Sequence, residues 1–462
     1  MMGNISDMEV VDSLSYKSFI HDIHSQDLFV DYVVEKNGVH TADNAVMLLF
    51  VKNVGTGRTH MVNANHQDIE RSNVEVKKLM DLVTKIASRV FVVDKKKFVN
   101  LFKNKKVNDI LIFEFQQGYE LIDLSELRTD YHSGIVGTLG ENYVGLNHVV
   151  PLAKHIERFE KLFNHFKESL LEFESDYSFD MINGVITETL SDVENNGIHI
   201  DVDIFNQHFS DRGVTERSPM VYSEYNLFTS TGRPSNRFSK VNYAALNKDD
   251  GCRAAFTSRF GSDGTLMCLD YSAYHPHIVA NLINFKLDLN TNVYELLGKS
   301  YFNRDKLTTE EIKTSKNLTF QNFYGGIKTE YMNIEFFKKT SDYINHRWNF
   351  FLKNGYVETP VFKRRITTNH IYDPNPNKLF NYLLQASETE FSIQNISRIN
   401  ELLKTKRSKV VLYTYDSILI DVSKDDGKET LIRIRDVMVD GQFPVKCHIG
   451  KNYNDLCEIE LK

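Results

Sequence analysis

The stretch IKTSKNLTFQNFYGG, Ile312 to Gly326, decides how the rest of the chain is read. On a helix advancing about 100° per residue, Lys316, Phe320 and Tyr324 are spaced four apart and share one face. That face carries a cation, an apolar ring and a phenol in a row, which suits a phosphate at one end and a stacked base beside it. An ordinary amphipathic helix with a snorkelling lysine has the same pattern, so the stretch needs support from elsewhere.

Composition bounds the answer without giving it. The 462 residues are enough for two or three domains, and 41% hydrophobic with 25% charged residues is the balance of a soluble globular protein. No apolar run approaches the ~20 residues of a membrane span, and the start, MMGNISDMEVVDS, is too polar and acidic for a signal peptide. Cys252, Cys268, Cys447 and Cys457 have no CxxC spacing and read as buried thiols of a reducing cytoplasm. A formal charge of −7 means that any nucleic-acid binding must come from a local basic face.

Residues 1–150 alternate strand-like and helix-like segments. Leu28 to Val34, Ala45 to Lys52 and Thr59 to Asn63 read as strands, Val74 to Ala87 as a helix, Val90 to Val93 as a strand, and Phe98 to Phe102 as the opening of a further helix. An antiparallel meander followed by alternating helices and strands fits an α/β domain of the ribonuclease H type, where a 3'-5' exonuclease would lie. Its acids are poorly placed for two-metal chemistry. Asp31 and Glu35 are four apart on a strand, roughly 13 Å from each other, Val99 stands where an acid after Asp94 is wanted, and His148 and His155 precede Glu157 with no acid between. The domain is therefore expected to be exonuclease-like and inactive. The basic run Lys95, Lys96, Lys97, Lys103, Lys105 and Lys106 reads as a solvated surface. Residues 151–230 form a helical connector, with one helix over Pro151 to Glu174 and a second over Met181 to Asn195, capped by Ser178 or Asp180 and stopped at Gly197.

From here the motifs resemble those of family A DNA polymerases, the bacterial polymerase I type. VENNGIHID, Val193 to Asp201, is similar to the segment that opens their polymerase domain. STGRPSNRFSKVNYAALN resembles the segments that grip primer and template, with Thr231, Gly232, Arg233, Ser235 and Asn242 in the matching places; Arg233 on its tight turn can project into a minor groove. TLMCLDYSAYHPHIVANLINF resembles motif A, an apolar strand from Leu266 to Leu269 that ends in Asp270 ahead of a helical run, Ile278 to Phe285. His275 replaces the glutamate that helps such enzymes exclude a ribose 2'-hydroxyl. The opening stretch resembles motif B, with Ile312 and Lys313 where an arginine is usual, and Tyr294 matches an upstream residue that approaches the triphosphate. GYVETP, Gly355 to Pro360, and NYLLQASETE, Asn381 to Glu390, follow in the family's order, with Asn381 and Gln385 on one helical face. KVVLYTYDSILIDV resembles motif C, with strands at Val410 to Tyr413 and Ile418 to Val422; Asp416 is kept while Tyr415 and Ser417 stand for histidine and glutamate. HIGKNYND closes the pattern with Tyr453 in place of tryptophan.

The resemblance implies an α/β (α+β) chain in which the ribonuclease H-like unit precedes a right-hand palm and fingers at 231–462, the fingers at about 286–350. A thumb between Asp201 and Thr231 has only about thirty residues, too few for two long helices, and is expected to be reduced or missing. It further implies nucleotidyl transfer of dNTPs to a primer with two Mg²⁺ ions. Asp270, Asp416 and Lys316 would be catalytic, with Asp270, Tyr271 and Asp416 at the metals. Phe320, Tyr324, His275, Tyr294 and Lys313 would meet the nucleotide, and Arg233, Thr231, Asn242, Asn381, Gln385 and Tyr415 the primer-template. An accessory processivity subunit would compensate for the short thumb, and few prolines with many Asn and Lys suggest a bacteriophage replication protein. Two alternatives stay open: a single-subunit RNA polymerase, which shares the palm and the Tyr-Gly helix end, and a non-catalytic DNA-binding subunit.

Overall fold

The computed structural model describes residues 8–35, 40–119, 150–236 and 241–461, and the chain divides into two compact units, Met1–Ser191 and Asp192–Lys462. His148 lies outside the described residues.

The first unit is built on a six-stranded sheet. Its elements are β1 (Met8–Val10), α1 (Tyr16–Ile23), β2 (Asp27–Glu35), β3 (Ala45–Asn53), β4 (Thr59–Asn63), α2 (Val76–Ile86), β5 (Arg89–Val92), α3 (Lys95–Phe102), β6 (Asn108–Asp109), α4 (Ile110–Gln117) and α5 (Leu152–Leu171). The order across the sheet is β1-β4-β3-β2-β5-β6. The meander β2-β3-β4 is antiparallel, while β5 and β6 run parallel to β2 after helical crossovers. Near-continuous apolar runs in β2 and β3 fit strands covered on both faces. One face packs on α2 and α3 through Val30, Leu49, Val51, Met80, Val83, Phe98 and Leu101. On α5, Phe159 stacks against Phe50 with ring centroids 4.8 Å apart, and Phe29 meets Phe159, Phe163 and Phe166.

Several sequence expectations need correction. β1, three residues long, carries too little periodicity to be read, yet pairs in parallel with β4. Lys95 and Lys96 are buried rather than solvated; the Lys95 ammonium lies 3.0 Å from Glu188, which is what makes burying it tolerable. Burial holds the Lys95 pKa below its ordinary value, with Glu188 opposing. The helix expected over Met181 to Asn195 is a π-helical turn, Met181–Ile186, running into α6 (Thr187–Asn196). Within that turn Asn183 accepts from the Asp109 N–H and donates to the Val107 carbonyl, tying it to β6 and the residue before it. The cap comes from Asp176, which accepts from Phe179 N–H, and not from Ser178 or Asp180.

In the second unit α7 (Val202–Phe209) is the one α-helix between Asp201 and Thr231, eight residues long or ~12 Å. A five-stranded antiparallel sheet follows. Its strands are β7 (Gly264–Tyr271), β8 (Lys409–Tyr413), β9 (Ser417–Ser423), β10 (Val445–Gly450) and β11 (Cys457–Ile459), in the order β8-β9-β7-β10-β11. Helices α8 (Tyr274–Leu282), α9 (Val293–Phe302), α10 (Thr309–Gly325), α11 (Glu335–Asn354), α12 (Pro376–Leu402) and α13 (Gly427–Val439) complete it. Cys252, Cys268 and Cys447 are buried as expected, but Cys457 on the edge strand β11 is exposed. Among the described residues no helix is long and apolar enough to cross a membrane.

Candidate active site

The central strand β7 delivers Asp270 one residue before its end, and the hairpin joining β8 to β9 delivers Asp416. The two strands pair with Asp270 opposite Ser417, and Tyr271 N–H donates to the Asp416 carbonyl at 2.9 Å. The hairpin is tight because Tyr415 takes φ 75°, a left-handed conformation that costs a residue with a Cβ roughly 1–2 kcal/mol. Ser392 on α12 donates to the Tyr415 carbonyl, and the Arg233 guanidinium lies 4.2 Å above its ring.

Asp270 and Asp416 line one cavity of about 810 Å³ together with Arg233, Lys248, His275, Tyr294, Lys316, Phe320, Tyr324, Glu388 and Lys446. Burial, then the charge of Asp416, push Asp270 up to about 6, against the pull of Lys248, His448 and Lys316. Asp416 is raised too, by desolvation and then by Glu388. Two acids on one cavity, both with raised carboxyls, suit a divalent cation, which would hold both ionised. The Tyr271 side chain cannot join them: its ring stacks on Tyr274 at 3.9 Å and its hydroxyl accepts from Asn395, so only its backbone carbonyl remains. Among the described residues, the group of three or more side chains placed to share one ion is Glu9, Asp22 and His60 of the first unit, not this pair.

The cavity wall is α10. A capping box of Thr308 and Glu311 starts the helix, and Ser315, Thr319, Asn322 and Phe323 bury its back. The opposite face leaves Lys316 and Tyr324 exposed and Phe320 half-buried. The Phe320 and Tyr324 rings stand 5.8 Å apart and 7° from parallel, and the Lys316 ammonium lies 5.8 Å from the Tyr294 ring. Close packing of α9 on α10 fixes this wall: a Cβ on Gly298 would sit 2.3 Å from Ser315 Oγ.

At the C-terminal end of α10, Tyr324 Oη meets His275 Nδ1 at 2.5 Å, while His275 Nε2 lies 3.2 Å from Glu388 Oε1. Glu388 is almost fully buried on α12 and also holds Arg233 Nη2 at 2.7 Å. Arg233, expected to reach freely into a groove, is thus tied inside the protein, because a buried carboxylate demands a paired cation. Its turn is fixed from behind by buried Arg364, which donates to the Thr229 carbonyl.

The remaining sequence-selected residues do not line the cavity. Lys313 is exposed, 4.0 Å from Glu310. Thr231 Oγ1 accepts from Arg233 N–H, Asn242 caps its own turn at Ala244, and Gln385 donates to Asn381 at 3.3 Å. Sequence reasoning missed Glu388, Lys248, Lys446 and His448. Glu388 had a signal, standing seven residues after Asn381 and three after Gln385 on the same helical face. Lys446 had none, since only strand register sets it opposite Asp270.

No protein-family model and no curated protein matches the chain. Among solved structures it is similar to the POL domain of Pol1 from M. smegmatis in complex with DNA primer-template and dNTP, with a TM-score of 0.70 and 15% identity over 97% of this chain and 99% of that one. At that identity the likeness is one of architecture, and it gives this chain the mixed helix-and-sheet fold of a DNA polymerase domain.

Proposed function

We propose that the chain is a template-directed DNA polymerase of the family A type, transferring the nucleotidyl group of a dNTP to a primer 3'-hydroxyl. The observation that carries this reading is that Asp270 and Asp416, 146 positions apart in the sequence, reach one cavity whose wall is Lys316, Phe320 and Tyr324. The fold likeness to a domain solved with primer-template and dNTP supports it. Asp270 and Asp416 would hold two Mg²⁺ ions, which when bound make the 3'-hydroxyl more acidic and offset charge on the phosphates. Lys316 would steady the triphosphate as a point charge. Phe320 offers a flat apolar surface for the incoming base, and Tyr324 closes the far end of that surface. His275 has one nitrogen at Tyr324 and the other at Glu388. A ribose 2'-hydroxyl against it would meet ring edges and lose its hydrogen bond, which favours deoxynucleotides.

In this reading the first unit is an exonuclease-like scaffold without metal chemistry. Asp31, on the strand that would supply a metal ligand, is buried and held by Arg158 at 2.5 Å, so a guanidinium sits on that carboxylate. The eight-residue α7 stands where a longer thumb would be needed, and an accessory subunit would then supply grip on the duplex.

Primer extension with purified chain, a primed template, dNTPs and Mg²⁺ tests the proposal. Asp270→Ala and Asp416→Ala should each lower extension by about a thousandfold or more, since metal-assisted charge stabilisation supplies several kcal/mol, with circular dichroism unchanged. Extension by either variant at the wild-type rate would remove the assignment. A wild-type chain that binds primer-template but never extends it would favour the non-catalytic DNA-binding alternative.

A further inference from the structure

His60, in β4, is completely buried, and neither of its ring nitrogens makes a hydrogen bond among the described residues. An imidazole left this way costs free energy unless something else takes its lone pair. Two carboxylates approach it. Glu9, its neighbour in register on β1, brings Oε2 to 3.4 Å from Nδ1, and Asp22 on α1 brings Oδ2 to 3.4 Å from Nε2. Both are too long or too oblique to count as hydrogen bonds. One ligand atom from each of the three side chains falls within 4.8 Å of the others. Phe19 meets the imidazole edge-on at 5.1 Å and fixes the ring plane.

We propose that Glu9, Asp22 and His60 form a structural site for one first-row divalent cation such as Zn²⁺ or Mn²⁺, stapling the edge strand β1 and helix α1 to β4. Imidazole with two carboxylates is a donor set for these ions, whereas Mg²⁺ and Ca²⁺ prefer oxygen alone. The local charge agrees. The groups facing the ring are Glu9 and Asp22, with Arg58 paired to Asp22 and His21 3.8 Å from it. Two carboxylates against one guanidinium leave a negative excess beside an imidazole whose ring nitrogens make no hydrogen bond among the described residues. Arg58 is more than half exposed and free to swing aside, so it is a removable competitor for Asp22.

The competing description is an imidazolium clamped between two acids with no ion. The two are separated by titrating ZnCl2 and MnCl2 into the full chain carrying Asp270→Asn and Asp416→Asn, which silences the palm pair, and following heat and thermal stability. The site predicts about one ion per chain, at least tenfold weaker binding in Glu9→Gln, and tighter binding in Arg58→Ala. X-ray absorption of the Zn²⁺ form should show nitrogen and oxygen donors with an imidazole signature. His60→Gln should abolish binding; should that variant fail to fold, Glu9→Gln on the edge strand decides the same point. No binding in the palm-silenced chain, binding unaltered by Glu9→Gln, or sulfur donors in the absorption spectrum would each overturn the site.

Discussion

The carboxylate of Glu388 touches both Arg233 and His275, and through them reaches two things the site must control. Arg233 covers Tyr415, whose strained φ shapes the turn carrying Asp416, and His275 faces Tyr324 at the end of the wall where the proposed nucleotide would lie. Glu388→Gln keeps the shape and removes the charge. Arg233 can still donate to the amide oxygen, but His275 Nε2 loses the carboxylate charge that stands 3.2 Å from it. Freed, the imidazole can turn a nitrogen towards the sugar and satisfy a 2'-hydroxyl. The dNTP over rNTP ratio of kcat/KM should then fall about 5- to 50-fold, the equivalent of one neutral hydrogen bond in a dry site. Single-nucleotide incorporation measures it. A merely structural role would lower both substrates alike and leave the ratio unchanged, which would remove Glu388 from sugar selection.

At the scale of elements, α10 works because its back is pinned as firmly as its front is open. Gly298→Val would force α9 off α10, since even a Cβ at that position comes within 2.5 Å of Leu307 as well as crowding Ser315. The expected cost is about 1–3 kcal/mol of stability. Because α10, which carries Lys316, takes its position from packing on α9, KM for dNTP should rise more than kcat falls, read by steady-state extension beside thermal unfolding. Equal effects on the two constants would mean that the packing does not set the position of Lys316. The face itself was legible in sequence, since residues four apart on a helix must share a side, and so were β7, β9 and the meander, whose apolar runs are long. What was not legible depends on partners far along the chain. Arg233 looked like a free arm until Glu388, 155 positions later, was found beneath it. Lys95 looked solvated until Glu188 was found beside it, and the left-handed Tyr415 has no residue-type signal, because glycine or asparagine would be the ordinary choice there.

On the scale of the whole molecule, two measurements address how the units behave. If the short α7 leaves the duplex poorly held, the isolated chain should add few nucleotides per binding event, and trap-challenged extension should show short products that shorten further with salt. Long, salt-resistant products would contradict the proposal that the thumb is reduced. The second concerns stability. Asp27 on β2 and Arg89 on β5 stand opposite each other in register and pair bidentately through Arg89 Nε and Nη2, while Arg89 Nη1 donates to the Phe173 carbonyl. The hydrogen bonds from Arg89 hold the Asp27 carboxyl below its ordinary value. A depressed folded-state pKa gives stability that is present above the unfolded value of about 3.9 and is lost as pH falls through the folded one. Both partners are partly exposed, so Asp27→Asn should cost only about 1 kcal/mol at pH 7. Since the pair lies wholly inside the first unit, calorimetry should show the loss in one of two transitions, and the gap between wild type and variant should close as the pH falls below the ordinary carboxylate range. A gap of constant size down to acid pH would mean that packing, and not the ionised pair, joins β2 to β5 at this end of the sheet.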